Sequence, residues 1–243
     1  MLKPELRQNF TIDATVLTDV AEALRIESGD KIIEIGAGKG VLSNKILTQF
    51  KNYTESSLSI SPSKLLSYEV DEDLLEDLES IKYHNKDTYD FRIQNFLDAK
   101  PRSGYSKCTG NIPYHISETL FLKFIEWDFD FIAMITGIKF ARKITGEFPG
   151  KISTIATHLF DSTIVKEYDK NIFYPKSKVD SGLIVMKRKR DISSDSEKKI
   201  THIFSNLNKK HIWLNKYLAF EQSQKGQIYH MDLDLLVKEI KSR

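Results

Sequence analysis

Short apolar runs alternate with segments of helical periodicity along residues 31–187. Strands are predicted where apolar residues follow one another, and helices where they recur every three to four positions. The predicted strands are Lys31–Ile35, Leu65–Val70, Tyr89–Gln94, Lys107–Gly110, Phe131–Thr136 and Ser181–Lys187. The predicted helices are Val41–Phe50, Asp73–Ile81, Ser117–Trp127 and Ile138–Thr145. This alternation predicts an α/β fold with a mostly parallel sheet and helices on both of its faces.

Two polar segments extend this plan. Residues 51–64 are serine-rich and include a proline, which predicts a loop between the first helix and the second strand. A serine-rich turn at 193–196 can cap a helix that runs through Leu207, and Leu233–Ile240 has the pattern of a second helix. We therefore expect two domains, residues 1–190 and a small helical domain at 191–243.

Composition narrows the class of protein. The chain has 243 residues, 40% of them hydrophobic and 29% charged, as in ordinary globular proteins. Its single cysteine, Cys108, excludes an internal disulfide and a cysteine-based zinc cluster, and no bound metal is expected. The apolar runs are too short to span a bilayer, and the first residues lack the order of a signal peptide. A cytoplasmic monomer without a membrane partner is expected.

The net charge of +2 is unevenly distributed, because Lys and Arg outnumber Asp and Glu by 13 to 7 from Lys187 onward. This excess makes a nucleic acid a candidate partner. The run Lys187–Arg190, together with Lys209 and Lys210, provides candidate contacts to phosphates.

A glycine-rich loop separates the first predicted strand from the first predicted helix, with the sequence Glu34-Ile-Gly-Ala-Gly-Lys-Gly40. Glycines permit a tight turn and let a ligand approach backbone N–H groups. The alternating glycines fit neither a Walker loop nor the GxGxxG motif, so a nicotinamide dehydrogenase is the least favoured enzyme class. The spacing resembles the E-x-G-x-G-x-G loop of S-adenosylmethionine methyltransferases.

Glu69 ends the second predicted strand, where such a cofactor requires an acid to accept both ribose hydroxyls. It follows Gly36 by 33 positions. Without the inserted polar loop of about 14 residues, that offset becomes about 19, close to the usual value of about 20.

The turn Gly110-Asn-Ile-Pro-Tyr114 follows the fourth predicted strand. An exocyclic amine of adenine is a poor nucleophile, because its lone pair is delocalised into the ring. The Asn111 side-chain oxygen and a backbone carbonyl held out by Pro113 can accept N–H bonds from such an amine and stabilise its developing charge. Tyr114 offers a ring face on which a flipped base can stack, so Tyr114→Phe is expected to retain most activity.

These motifs, with Gln8–Phe10 and Tyr174–Ser181, follow the order found in the ribosomal RNA adenine N6,N6-dimethyltransferases, which the chain resembles over about residues 6–218. The resemblance implies a Rossmann-like class I methyltransferase domain that uses S-adenosylmethionine. It implies a set of cofactor-binding residues: Asn9, Thr11, Gly36, Gly38, Glu69, Asn95 and Asn111. It also implies that Asn111 and Tyr114 hold the target adenine, so the predicted catalytic residues are Asn111, Pro113 and Tyr114.

Four positions depart from the usual family residues: Thr11 replaces Leu, Asn95 replaces Asp, His115 replaces Asn and Ser177 replaces Pro. Asn95 still offers an oxygen to the amino group of the cofactor adenine. Weaker cofactor binding, rather than its loss, is therefore expected.

The family has two branches, which act on different ribosomal subunits. Gly137–Lys143 and the short chain are similar to the erythromycin-resistance methyltransferases, whereas Lys178–Ser181 and Ile203–Lys210 are similar to the small-subunit enzymes, the latter stretch to archaeal ones. We favour dimethylation of adjacent adenosines near the 3′ end of small-subunit rRNA during ribosome assembly, with the RNA inside a small subunit or its precursor. A large-subunit methyltransferase, a non-catalytic RNA-binding assembly factor and a DNA adenine methyltransferase stay open as alternatives.

Overall fold

The computed structural model describes residues 10–11, 14–54, 63–148 and 151–189. The strands in these ranges are β1 Phe10–Thr11, β2 Lys31–Ile35, β3 Lys64–Glu69, β4 Tyr89–Ile93, β5 Lys107–Asn111, β6 Phe131–Gly137, β7 Phe160–Tyr168, β8 Phe173–Tyr174 and β9 Ser181–Arg188. The α-helices are α1 Ala14–Ala23, α2 Val41–Thr54, α3 Leu75–His84, α4 Ser117–Trp127, α5 Ile138–Ile144 and α6 Lys151–Leu159. None of these helices has the length and hydrophobicity needed to cross a membrane.

Seven strands form one sheet in the order β4-β3-β2-β5-β6-β9-β7. The five strands from β4 to β6 run parallel to their neighbours, and β9 runs antiparallel to β6. Ile32 and Ile33 are both fully buried, although successive residues of a strand point to opposite faces. Both faces of β2 are therefore covered, as in other parallel sheets. The predicted, mostly parallel sheet is confirmed.

The predicted elements agree closely with the structure, and β2 and α4 have the predicted bounds. Helix α3 begins at Leu75 rather than at Asp73, because the Asp71 carboxylate accepts a hydrogen bond from the Asp73 N–H and starts a short 3-10 turn first. Helix α2 continues to Thr54, so the first residues of the predicted loop at 51–64 are helical. Residues 55–62 of that loop lie outside the described residues.

Some elements were not predicted from the pattern, namely β1, α1, α6, β7 and β8. Helix α1 buries Val16, Leu17, Val20 and Ala21, a helical spacing that the sequence carries. Strand β7 is largely polar and only partly buried, so it contains no continuous apolar run to mark it.

The chain divides into two compact units, one formed by residues 1–141 with 163–187 and the other by 142–162 with 188–243. All the predicted cofactor and catalytic residues belong to the first unit. The helices predicted within 193–207 and 233–240 lie outside the described residues, so the small C-terminal helical domain stays a prediction. Cys108 is buried and carries a free thiol.

Candidate functional site

A cavity of about 720 Å³ lies at the carboxyl ends of β2, β3, β4 and β5. Its volume is in the range of about 300–1,000 Å³ that is typical of small-molecule sites. Six of the predicted site residues line it: Gly36, Gly38, Glu69, Asn95, Asn111 and Pro113. The structure therefore brings together, at one edge of the sheet, motifs that are far apart in the sequence.

The glycine loop is fastened to the end of β3. The backbone N–H groups of Gly36 and Ala37 donate to the Tyr68 carbonyl at 2.8 and 3.3 Å, and the Gly38 N–H donates to the Glu69 carboxylate. The N–H groups of Gly36, Ala37 and Gly38 therefore already have acceptors within the protein, and the approach of a ligand to this loop stays a prediction.

Glycine is favoured at Gly40 by its backbone conformation, and the side chain of Ile81 packs against it. Its φ of +74° is left-handed, and a Cβ there would lie 2.0 Å from the Ile81 Cδ1 atom. The loop therefore packs directly against α3, which places the start of α2 beside the cavity.

Glu69 is nearly buried, and three backbone N–H groups already donate to its carboxylate. Oε2 accepts from Gly38 at 2.8 Å, and Oε1 accepts from Val70 at 2.8 Å and from Asp71 at 3.0 Å. A carboxylate has about four acceptor positions, so one remains, on Oε2. By this count one ribose hydroxyl can donate to Glu69 without displacing a backbone donor, and the expected pair of hydrogen bonds stays a prediction.

Asn95 lies at the cavity, two residues after the end of β4, and is exposed. Its Oδ1 atom accepts a hydrogen bond from the Leu97 N–H at 3.0 Å and caps the 3-10 turn Phe96–Asp98. Asn and Asp cap such turns equally well, which accounts locally for the replacement at this position. An amide oxygen has two lone pairs, so one acceptor position is left for a ligand.

The apolar lining of the cavity was not predicted from the sequence. Phe96 packs edge-on against Tyr68 with ring centroids 5.1 Å apart and lies 4.8 Å from the ring of Trp127. Further lining comes from apolar and aromatic side chains of several elements: Leu17, Val41, Leu42, Leu74, Leu97, Ile116, Leu120 and Tyr174. Tyr174 is 62% exposed, and its place in the matching stretch Tyr174–Ser181 was the signal that pointed to it.

Asn111 ends β5 and meets the glycine loop. A Cβ at Gly36 would lie 3.8 Å from the Asn111 backbone oxygen. The preceding residue, Gly110, has φ +155°, and a Cβ there would lie 2.3 Å from the Ile35 carbonyl oxygen. Only glycine permits this close approach of β5 to β2, and the approach carries Asn111 to the cavity.

Pro113 and Tyr114 form a turn with different surroundings. Pro113 lines the cavity and begins the 3-10 turn Tyr114–Ile116, in which the Pro113 carbonyl accepts from the Ile116 N–H. The side chain of Tyr114 instead contacts β6 and β9: its hydroxyl lies 2.5 Å from the Ser181 Oγ atom, and its ring lies over Gly137. Asn9 lies outside the described residues, and of Thr11 the structure gives only its pairing with Phe173.

Glu34, the first residue of the glycine motif, is buried behind the loop. Its Oε2 atom accepts hydrogen bonds from the hydroxyls of Ser43 on α2 and Ser67 on β3, each at 2.5 Å. Its Oε1 atom has no hydrogen-bond partner among the described residues. Burial raises the pKa of the Glu34 carboxyl to about 7, although the two serine hydroxyls oppose the shift. Glu34 on β2 therefore connects this strand to α2 and β3 by hydrogen bonds, and it does not line the cavity.

Comparison with known proteins identifies the family. The sequence model of the ribosomal RNA adenine dimethylase family matches residues 1–232. The chain belongs to this family. It is 30% identical over 212 residues to the ribosomal RNA small subunit methyltransferase A of Mycoplasmopsis synoviae, covering 83% of this chain and 76% of that relative. The predicted family and enzyme class are confirmed.

Two solved structures resemble this dimethylase in fold. The 23S rRNA methyltransferase ErmE has a TM-score of 0.66 at 22% identity, covering 83% of this chain and 79% of that chain. A dimethyladenosine transferase from Plasmodium falciparum has a TM-score of 0.67 at 20% identity, covering 86% and 78%. The predicted Rossmann-like methyltransferase fold is thus confirmed.

Two residues of the basic run Lys187–Arg190, at the end of β9, make contacts within the protein. Arg188 is 4% exposed, and the Cζ atom of its guanidinium lies 4.7 Å from the centroid of the Phe160 ring. The Lys189 ammonium donates to the Thr157 carbonyl at 2.8 Å and lies 3.4 Å from the Asp161 carboxylate. The expectation of a phosphate contact is therefore wrong for Arg188, because this residue is buried and its guanidinium makes a cation–π contact. For Lys187 and Lys189, which are at least partly exposed, the phosphate contacts stay a prediction. Arg190, Lys209 and Lys210 lie outside the described residues.

Substitution of Glu34 by glutamine is expected to reduce the pH dependence of the stability of this dimethylase. The folded protein keeps the Glu34 proton up to about pH 7, whereas the unfolded chain loses it near the ordinary pKa of 4.5. The stabilisation is therefore fully present below pH 4.5 and is lost as the pH rises through 7, by on the order of 3 kcal/mol. Glutamine still accepts from both serine hydroxyls but does not titrate.

Denaturant unfolding at several pH values between 4.5 and 8 measures this effect as the difference between parent and variant. The matched control is Glu79→Gln, which changes an exposed glutamate on α3 and should follow the parent curve. Parallel curves for the parent and Glu34→Gln would contradict the assignment of this titration to Glu34.

Proposed function

We propose that this chain uses S-adenosylmethionine to dimethylate the N6 amines of two adjacent adenosines near the 3′ end of small-subunit rRNA. The observation that carries the proposal is the cavity, where the glycine loop, Glu69 and the Asn111–Tyr114 turn meet at one edge of the sheet. Membership of the ribosomal RNA adenine dimethylase family supports the reaction class. We further propose a monomer that acts in the cytoplasm on RNA within a small ribosomal subunit or its precursor.

The residues of the cavity fit this cofactor. The Oε2 atom of Glu69 keeps one acceptor position for a ribose hydroxyl, and Asn95 keeps one for the amino group of an adenine. The apolar side chains of Phe96 and Leu97 provide walls for a base. The bound sulfonium supplies an activated methyl group, so the protein need only bind, orient and exclude water.

Asn111 and Pro113 act on the target amine. The Asn111 side-chain oxygen accepts an N–H bond from the amine, which directs the nitrogen lone pair away from the ring and toward the methyl group. The same oxygen stabilises the positive charge that develops on nitrogen during transfer. Pro113 fixes the turn, since its φ of −58° starts the 3-10 turn that follows. Tyr114 stacks on the flipped base.

The choice of ribosomal subunit rests on two observations. The relative from Mycoplasmopsis synoviae is named a small-subunit methyltransferase, and the stretch Lys178–Ser181 is similar to that branch. The likeness to ErmE, at 22% identity, concerns the fold and does not favour the large subunit. Large-subunit rRNA stays the second candidate substrate, because the stretch Gly137–Lys143 is similar to the erythromycin-resistance methyltransferases.

The test is methyl transfer from labelled S-adenosylmethionine to three matched substrates: small subunits that lack the dimethylation, 23S rRNA and duplex DNA. We expect label in two adjacent adenosines of the small-subunit RNA, located by mass spectrometry of nuclease fragments. Asn111→Ala should transfer at least about 10²-fold less label in the same short reaction time. Label confined to 23S rRNA or to DNA would contradict the proposed substrate. Transfer to none of the three would favour the non-catalytic assembly factor.

A further inference from the structure

Tyr114 is held by its hydroxyl as well as by its ring. The hydroxyl lies 2.5 Å from the Oγ atom of Ser181, the first residue of β9, and 3.3 Å from the Oγ atom of Ser177. Both serines are buried, with exposed fractions of 0% and 5%. Tyr114 and Ser181 are 67 positions apart in the sequence, so the bond joins the turn after β5 to a strand on the other side of β6.

The tether to Ser181 is the stronger of the two contacts. The Ser177 hydroxyl also lies 2.7 Å from the Val179 carbonyl and accepts from the Val179 N–H at 3.2 Å. Because a serine carries one hydroxyl proton, donation to Val179 leaves the 3.3 Å contact dependent on the Tyr114 proton, and at that length it is the weaker of the two bonds. Ser177 therefore shapes the loop before β9, and Ser181 fixes the position of the phenol oxygen.

Gly137 fixes the plane of the ring. A Cβ at Gly137 would lie 3.1, 3.3 and 3.5 Å from the Cγ, Cδ1 and Cδ2 atoms of Tyr114, which places the glycine over one face of the ring. With that face covered, a base can stack only on the opposite face. The phenol oxygen lies on the long axis of the ring, so its bond to Ser181 keeps the whole side chain from swinging away from Gly137.

We infer that Ser181 is a positioning residue for methyl transfer: by holding the Tyr114 hydroxyl, it presents the ring face opposite Gly137 to the target adenine. The inference rests on the proposed function, in which Tyr114 stacks on the flipped base. It gives the hydroxyl a role that the sequence did not indicate. Tyr114→Phe keeps the ring but loses the tether, so its activity should fall between that of the parent and that of Tyr114→Ala.

A double-mutant cycle tests the coupling between the two residues. We expect Ser181→Ala and Tyr114→Phe each to lower the single-turnover rate about 5- to 10-fold at saturating RNA and cofactor, as loss of one hydrogen bond predicts. The double variant should lose no more than either single variant, because both remove the same bond. A double variant whose loss equals the product of the single losses, or a parental rate in Ser181→Ala, would overturn the inference.

The matched control is Ser117→Ala, which removes another buried serine hydroxyl. Ser117 is 1% exposed, and its Oγ atom lies 3.0 Å from the Oγ1 atom of Thr136, next to Gly137. We expect a lower melting temperature in this variant, as in Ser181→Ala, with an unchanged transfer rate and no coupling to Tyr114→Phe. Equal rate losses in Ser117→Ala and Ser181→Ala would reduce the role of Ser181 to general stability and overturn the inference.

A spectroscopic readout separates the tether from the substrate assignment. The ¹⁹F NMR spectrum of protein labelled with 3-fluorotyrosine should contain a resonance from Tyr114, which is identified by its loss in Tyr114→Phe. We expect Ser181→Ala to shift this resonance and Ser117→Ala to leave it in place. An unmoved resonance in Ser181→Ala overturns the tether even if methyl transfer proceeds as proposed. A shifted resonance in a protein that methylates no RNA leaves the tether standing and refutes the proposed function.

Discussion

Substitution of Asn111 by alanine is expected to lower the single-turnover rate of methyl transfer by about 10²- to 10³-fold, or roughly 3–4 kcal/mol. The side-chain oxygen of Asn111 is proposed to stabilise charge that exists on the target amine only during transfer. Its removal should therefore affect the rate constant more than the affinity for RNA. Asn111 also lines the cavity, so the rate must be measured at saturating cofactor.

Asn95→Ala is the matched control for Asn111→Ala, because it removes another amide that lines the same cavity. We expect this variant to bind S-adenosylmethionine more weakly and to recover the parental rate once the cofactor is saturating. Transfer at the parental rate by Asn111→Ala under the same conditions would refute the proposed catalytic role of its side chain.

Glu69→Ala is expected to weaken the binding of S-adenosylmethionine by about 2–4 kcal/mol. Part of this loss is the charge-assisted hydrogen bond from a ribose to the free acceptor position on Oε2. The rest comes from the loop, since Gly38, Val70 and Asp71 lose the carboxylate to which their N–H groups donate. Isothermal titration calorimetry measures the affinity, and circular dichroism shows whether the variant is folded.

A suitable control for Glu69→Ala is Asp71→Asn, which removes a second buried carboxylate of the cavity. Asparagine can still cap the turn that Asp71 begins, so the local structure should persist. If the loss of negative charge alone weakened binding, both variants would bind equally poorly. Parental affinity in a folded Glu69→Ala protein would show that the ribose site lies elsewhere.

Much of the fold could be predicted because it depends on local patterns. The consecutive burial of Ile32 and Ile33 follows from a strand covered on both faces, and such strands are marked in the sequence by short apolar runs. The amphipathic helix Ser117–Trp127 is likewise encoded by its own spacing. Strand β7 lacks both signals, because most of its exposed residues are polar and its place in the sheet is set by the other strands.

The candidate site was predictable as a set of residue types at strand ends, because the carboxyl ends of parallel strands meet at one edge of the sheet. The sequence by itself thus determined the family, the alternation of strands and helices, and the gathering of Gly36, Glu69 and Asn111 at one edge. Only the tertiary structure decided which donors and acceptors meet. It placed the Gly38 N–H on Glu69 across 31 positions and the Tyr114 hydroxyl on Ser181 across 67. Such bonds depend on how distant elements pack, and local periodicity carries no information about that packing.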